Sequence, residues 1–127
     1  MKATRQFLAR LREAHGGSTI VEFALVLPVF IMMLVGGFYL AMIALTAASV
    51  QYAAQDAARC ASINTGVCTN TTTTATYATK HFIGVGTPSF TVSTASCGNR
   101  VNGSVNYVLN TGLRKITVPL SATACYP

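Results

Sequence analysis

Four cysteines are the residues of this chain best suited to chemistry, and their spacing favours structural disulfide bonds. They are Cys60, Cys68, Cys97 and Cys125, and they contain no Cys-x-x-Cys pair of the kind used in thiol-disulfide exchange or in zinc binding. Four cysteines allow three pairings. We favour Cys60–Cys68, which closes a short loop, and Cys97–Cys125, which ties the last strand to a sheet. Each bond would stabilise a small domain by about 2–4 kcal/mol.

The other titratable residues do not combine into a catalytic or metal-binding set. His15 and His81 have no partner at metal-ligand spacing, and the chain has only three acidic residues. A nucleophile, a base and an orienting carboxylate therefore cannot be assembled. We expect a protein that is not an enzyme and that uses no cofactor and no metal.

The net charge of +6 is concentrated at the N-terminus. Lys2, Arg5, Arg10 and Arg12 lie in the first fifteen residues, whereas the later basic residues are dispersed without interleaved aromatic residues. This distribution argues against nucleic-acid binding. Lys and Arg next to a membrane span are retained on the cytoplasmic side, so the part that carries the cysteines should lie outside the cytoplasm, where disulfides form.

These residues are positioned by one long apolar helix. Residues 23–45 contain no charged side chain, and as a helix they would cover the ~30 Å hydrocarbon core of a bilayer at ~1.5 Å per residue. The following alanine-rich sequence favours continuation of the same helix. We predict a polar leader over residues 1–17, a helix over residues 18–64 and a transmembrane segment at about 23–45.

Small residues recur along this helix at spacings of three and four. Such a seam lets helix backbones approach closely, either on the C-terminal part of the same chain or between subunits, and the pattern leaves both open. The seam consists of Ala47, Val50, Ala54, Ala57 and Ala61, and Gly37 with Ala41 forms a similar pair nearer the N-terminus.

Residues 65–127 are predicted to form a small β-rich domain. Residues 69–76 are almost all Thr and Asn and are predicted to form a loop. Residues 77–83 are predicted to form a short helix. Three alternating runs predict strands at residues 89–93, 101–109 and 115–120. The fold class is therefore α+β, with a long N-terminal helix followed by a disulfide-stapled antiparallel three-stranded domain.

Single residues predict where these strands bend, turn or lie at the edge of the sheet. Gly103 suggests a bulge or turn, and Pro119 suggests an edge strand. Asn99 and residues 110–112 are natural turn sites.

Glu22 stands just before the uncharged segment, where a carboxylate needs a partner. Thr19-x-x-Glu22 fits a capping box, in which Glu22 satisfies free backbone N–H groups of the first helical turn. Alternatively, Glu22 pairs with a positive group. Cleavage between Gly17 and Ser18 would create one, the α-amine of Ser18, in the same subunit or in a neighbour.

Residues 17–28, GSTIVEFALVLP, resemble the N-terminal signature of the TadE-like proteins, the minor pilins or pseudopilins of the tight-adherence (Tad) type IVb pilus system. In that family a basic leader ends in Gly, and Glu followed by Tyr or Phe stands at the fifth and sixth mature positions. Gly17 and Ser18 match the cleavage site, and Glu22 and Phe23 match those two positions. Residues 55–59, QDAAR, are also similar to the family's helix.

The resemblance implies a partner for each step of assembly. A prepilin peptidase would remove the leader, and the mature protein would lie in the lipid bilayer of the bacterial inner membrane. It would then join other pilins and the inner-membrane assembly platform, with Glu22 and Phe23 acting in processing or subunit registration.

The alternative is a membrane-anchored extracytoplasmic binding or assembly protein that never enters a filament. A subunit of a general secretion pseudopilus is disfavoured, because that family normally has Phe immediately after the cut, where this chain has Ser18.

Overall fold

The computed structural model describes residues 17–127, so the predicted leader up to residue 16 lies outside the described residues. The architecture is α+β, as predicted. In chain order the elements are α1 (Gly17–Ile63), α2 (Thr71–His81), β1 (Pro88–Ala95), β2 (Gly98–Asn110) and β3 (Lys115–Tyr126).

Helix α1 passes through two compact units, one ending at Tyr39 and one comprising Leu40–Pro127. It ends at Ile63, where the sequence predicted a stop. The Asn64 N–H donates to the Cys60 carbonyl at 2.8 Å, and the Asn64 carbonyl accepts from the N–H groups of Val67 and Cys68 at 3.2 and 3.0 Å. These bonds satisfy backbone groups that the end of the helix leaves free.

The core of the second unit is built on the small-residue face of α1. Val50, Ala54 and Ala57 of the predicted seam are fully buried, whereas Ala47 and Ala61 are half-buried. The seam therefore packs on the chain's own sheet, which was one of the two partners left open. The sheet contributes Phe90, Val101, Val105 and Ala124 to this core, and α2 contributes Ala78.

The three strands form an antiparallel meander in the order β1-β2-β3, as predicted. All three are longer than the alternating runs suggested, because pairing extends into the flanking residues, which do not alternate as clearly. Pro119 lies on β3, which is an outer strand, in agreement with the prediction. The turn predicted at residues 110–112 also forms, with Gly112 at a φ of 80°.

Two residues of β2 have other roles than predicted. Gly103 forms no bulge or turn, since it pairs regularly with Phe90 on one side and Ala122 on the other. A Cβ there would lie 2.5 Å from Phe90 Cε1 and 2.9 Å from Val50 Cγ1, so glycine is needed for close packing. Asn99 pairs within the sheet, so the turn falls at residues 96–97, and Gly98, with a φ of 108°, begins β2 directly after it.

The loop prediction for residues 69–76 is wrong, because α2 begins at Thr71. The Asn70 side chain accepts from the Thr73 N–H at 2.9 Å, and the Thr73 hydroxyl accepts from the Asn70 N–H at 3.0 Å, which together form a capping box. Buried Thr74 donates its hydroxyl to the Asn70 carbonyl at 2.9 Å. Capping and burial thus override the modest helix propensity of threonine.

Both favoured disulfides are present. Cys60–Cys68 bridges the connection between α1 and α2, and Cys97–Cys125 joins the β1–β2 turn to the end of β3. Their sequence separations are 8 and 28 residues. Each bond fixes one junction of a domain whose core is small.

The contact at Gly103 predicts that Gly103→Ala lowers the free energy of unfolding by about 1–3 kcal/mol, because the new methyl group meets buried neighbours. Thermal unfolding of the full chain in detergent, followed by circular dichroism, measures the change. Ser104→Ala, at the exposed next position of β2, is the control. Val50→Ala makes room for the methyl group, so the double variant should be more stable than the two single effects predict. Strict additivity would contradict the contact.

The disulfides predict unequal losses. Replacing Cys97 and Cys125 by Ser should cost about 3–4 kcal/mol, and replacing Cys60 and Cys68 by Ser about 2–3 kcal/mol, because the longer loop gains more freedom in the unfolded chain. Proteolytic half-lives of the full chain in detergent, with and without dithiothreitol, give the ranking. If reduction leaves the wild-type half-life unchanged, the bonds do not stabilise the domain.

Candidate functional site

The candidate site is the N-terminal part of α1, where Glu22 is an exposed helical residue. Thr19 already lies inside the helix, and the first turn contains no acidic residue. Thr19 is therefore not an N-cap, and the capping box proposed for Thr19 and Glu22 does not form. Within residues 17–127, no ion pair involves Glu22. The carboxylate is available to a positive group from outside the described chain.

Large apolar side chains surround this carboxylate. Phe23 is 65% exposed, and most of the following residues up to Phe38 are exposed as well. Among the described residues, one helix, spanning Thr19–Ile63, is long and apolar enough to cross a membrane. Exposure of such side chains to water would cost about 1.5–3 kcal/mol each, so this surface requires lipid or other helices around it.

The predicted packing pair, Gly37 and Ala41, has no partner in the described chain. A Cβ added at Gly37 would have no atom within 4 Å, and Ala41 is exposed. The pair thus offers a place where the backbone of a second helix could approach closely. By contrast, the seam at Val50, Ala54 and Ala57 is already covered by the sheet, so a neighbouring subunit would have to meet it at Ala47 and Ala61.

A second polar cluster, which sequence reasoning missed, joins α1 to α2. His81 Nε2 lies 3.9 Å from Asp56 Oδ2, and His81 Nδ1 lies 2.9 Å from the Tyr77 carbonyl oxygen. The rings of Tyr77 and His81 stack with centroids 4.0 Å apart. Burial and the neighbouring Asp56 carboxylate raise the pKa of Tyr77 above its ordinary value.

In the sequence, the four-residue spacing of Tyr77 and His81 indicated that these two side chains could meet, because residues four apart on a helix are neighbours. Asp56 is brought in by the packing of α2 on α1. The described residues contain no group of three His, Cys, Asp or Glu side chains that could hold a metal ion. The cluster of Asp56, Tyr77 and His81 therefore connects α1 and α2.

An open groove of about 590 Å³ lies beside Asp56, between α1 and the end of β3. Its α1 side is formed by Gln51, Tyr52, Gln55 and Arg59, and its other side by residues 123–126. Its lining is mixed, with amide, phenol and charged groups but no buried unpartnered polar side chain among the described residues.

Comparison with known proteins bears on the helix alone. Residues 17–59 match the model of the family described as TadE-like protein. This helix is TadE-like. The resemblance inferred from the junction is therefore confirmed, over about a third of the chain. Neither a curated protein nor a solved structure matches the chain.

The match is consistent with a Tad pilus-related protein. The apolar helix fits a membrane anchor in such a protein. The match begins at Gly17, and it ends at Arg59, before both disulfides and the whole sheet. The similarity thus covers the junction and the helix but not the domain that follows.

Proposed function

We propose that this chain is a minor pilin, or pseudopilin, that takes part in assembly of a Tad-type adhesion pilus. A prepilin peptidase cuts between Gly17 and Ser18 and removes the leader, residues 1–17. The mature helix, residues 18–64, stays in the inner membrane through residues 23–45, with its N-terminus on the cytoplasmic side and residues 65–127 outside. The observation that carries the proposal is the TadE-like match, which starts at Gly17 and follows the exposed apolar helix.

Helix packing is the proposed mechanism of assembly. Lipid tails are about as apolar as the helix surface, so moving the helix from the bilayer into a bundle changes its hydrophobic burial little. Specificity must then come from close backbone contact and from polar pairs. Gly37 with Ala41 supplies the first, and Glu22 supplies the second.

Glu22 in particular needs a cationic partner inside a bundle. A carboxylate among apolar side chains is costly unless it is paired. Cleavage after Gly17 leaves a protonated α-amine on Ser18, and the amine of a neighbouring subunit would neutralise Glu22 and set the axial position of one subunit against the next. The exposure of Glu22 and the lack of an ion pair to it within residues 17–127 support this role.

A second candidate is a membrane-anchored extracytoplasmic binding or assembly protein that stays out of the filament. The observation in its favour is that residues 60–127 lie beyond the family match and that β3 of this part forms one side of an open groove, whose other side is α1. Both candidates use the same anchor. Recovery of the protein in sheared, purified filaments separates them, since only a pilus subunit would be released with the filament.

The cleavage proposal predicts that the membrane-extracted protein loses residues 1–17 when it is co-expressed with a prepilin peptidase and keeps them without it. Gly17→Ala should leave the full-length precursor, because the added methyl group hinders the peptidase at the residue before the cut. Intact-mass spectrometry distinguishes the full-length precursor from the protein that lacks residues 1–17.

Gly16→Ala is the matched control, since it changes the neighbouring glycine and should still be processed. A full-length mass in the presence of active peptidase, or normal processing of Gly17→Ala, would argue against a pilin-type substrate. The anchored binding protein would then be the better description.

The registration proposal predicts that Glu22→Ala inserts into the membrane and keeps its stability within about 0.5 kcal/mol, because an exposed carboxylate is removed. Its amount in sheared filaments should nevertheless fall at least severalfold relative to the membrane fraction. Thr19→Ala, one helical turn away and also exposed, should assemble normally. Wild-type incorporation of Glu22→Ala would remove Glu22 from the assembly mechanism.

A further inference from the structure

The end of the β2–β3 hairpin carries exposed apolar side chains beside two cations. Leu113 is 100% exposed, and Val108 and Ile116 are 53% and 49% exposed. Arg114 and Lys115 lie between Leu113 and Ile116 and are also exposed. We call residues 108–116 the hairpin end. Such a combination is unusual on a surface that faces only water.

The backbone of the hairpin end is internally bonded. The Thr111 N–H and hydroxyl both donate to the Arg114 carbonyl, at 3.2 and 2.8 Å, and the Gly112 N–H donates to Asn110 Oδ1 at 3.2 Å. The turn is thus held in one shape with several of its polar groups satisfied. A turn that enters a less polar environment needs such internal hydrogen bonds, because unsatisfied backbone groups are costly there.

Contacts with α1 fix the direction in which the hairpin end points. Near the start of β2, Asn99 Nδ2 donates to Ser62 Oγ at 3.0 Å. Further along, Gly103 lies against Val50. Moving from residue 99 to residue 103 on β2 therefore means moving from residue 62 towards residue 50 on α1. The hairpin end points towards the Leu40 end of this unit.

The lengths of the two elements show how far the hairpin end extends. From Gly103 to Asn110 a strand covers ~23 Å at ~3.3 Å per residue. From Val50 to Leu40 a helix covers ~15 Å. A strand that keeps its direction therefore brings the hairpin end to the Leu40 end of this unit, where residues 40–45 are the last residues of the segment predicted to span the membrane.

A second exposed apolar residue lies at the same end. Ile83 is 89% exposed, and its loop is attached to α1 where the Ile83 N–H donates to Ser49 Oγ at 2.7 Å. The neighbouring Val85 N–H donates to Thr46 Oγ1 at 3.3 Å. Thr46 and Ser49 come shortly after the predicted span, which ends at about residue 45, so Ile83 is close to the level where the helix would leave the bilayer.

The positive charge of the hairpin end indicates what kind of surface it contacts. The sequence contains no acidic residue after Asp56, so Arg114 and Lys115 have no side-chain carboxylate near them along the strands. Cations flanked by apolar side chains are suited to the boundary between lipid headgroups and acyl chains, where anionic phosphates lie above the hydrocarbon.

We propose that the hairpin end docks on the lipid bilayer that holds α1, with Leu113 inserted at the headgroup boundary and Arg114 and Lys115 at anionic headgroups. This inference rests on the membrane anchor of the proposed function. The domain would then be attached at two places, the helix and the hairpin, and release of the second contact would accompany extraction of the subunit from the membrane.

Tryptophan fluorescence tests this inference, because the natural chain contains no tryptophan. Three full-length variants are reconstituted in vesicles of phosphatidylcholine and phosphatidylglycerol with and without brominated acyl chains. Leu113→Trp probes the hairpin end, Leu34→Trp probes the predicted span, and Thr94→Trp probes an exposed position near the opposite end of the sheet. Leu113→Trp should show blue-shifted emission and quenching by bromine near the headgroups, whereas Thr94→Trp should show neither.

The charge contribution is tested in the Leu113→Trp background. Arg114→Gln together with Lys115→Gln should lower the docked-to-undocked ratio about fivefold per charge in anionic vesicles, and by much less in pure phosphatidylcholine. Equal quenching in both lipids, with or without the two cations, would overturn the headgroup assignment.

The remaining outcomes separate this inference from the proposed anchor. Quenching of Leu34→Trp but not of Leu113→Trp would overturn hairpin docking and leave the anchor intact. Absence of quenching at Leu34→Trp would overturn both. A blue shift of Leu113→Trp that bromine does not quench would mean that the hairpin end contacts protein, such as a second copy of this chain, and would also overturn docking on lipid.

Discussion

The fold depends on how closely α1 approaches β2. Val50 of the helix lies against Gly103, and Phe90 of the neighbouring strand fills the other side of the same glycine. A side chain at residue 103 would push the helix and the sheet apart, and the alanines at residues 53, 54, 57 and 58 would then lose the contacts that bury them. Since alanine buries little area, such a core is stable only when the two surfaces are in close contact.

Helix α1 therefore has two parts, which differ in the size of the side chains that they present. From Leu40 onwards, small side chains face the sheet and larger or polar ones face outwards. Nearer the N-terminus, the large apolar side chains of residues 20–38 are mostly exposed. The first surface is satisfied within the domain, whereas the second needs lipid or other helices. One helix thus belongs both to a folded domain and to an apolar segment that fits a membrane anchor.

Covalent and capping interactions support a core that burial alone would leave marginal. The disulfides close the α1–α2 connection and the open end of the sheet, and both lie in the part expected to meet an oxidising compartment. Asn70 and the threonine hydroxyls stabilise α2 locally, and the contact of His81 with Asp56 connects it to α1. These additions matter because the helix contributes mainly alanine to the core.

The sequence alone determined the features that depend on local composition and spacing. The apolar length of α1, its stop near Asn64, the three strands and the junction around Gly17 and Glu22 follow from residue types read in order, and the cysteine pairing followed from which elements could be tied together. Only the tertiary structure decided the rest. It turned residues 71–76 into helix through capping and burial, kept Gly103 in regular pairing because a helix lies against it, and brought Asp56 to His81. Each of these depends on a partner far away in the chain, which local patterns do not reveal.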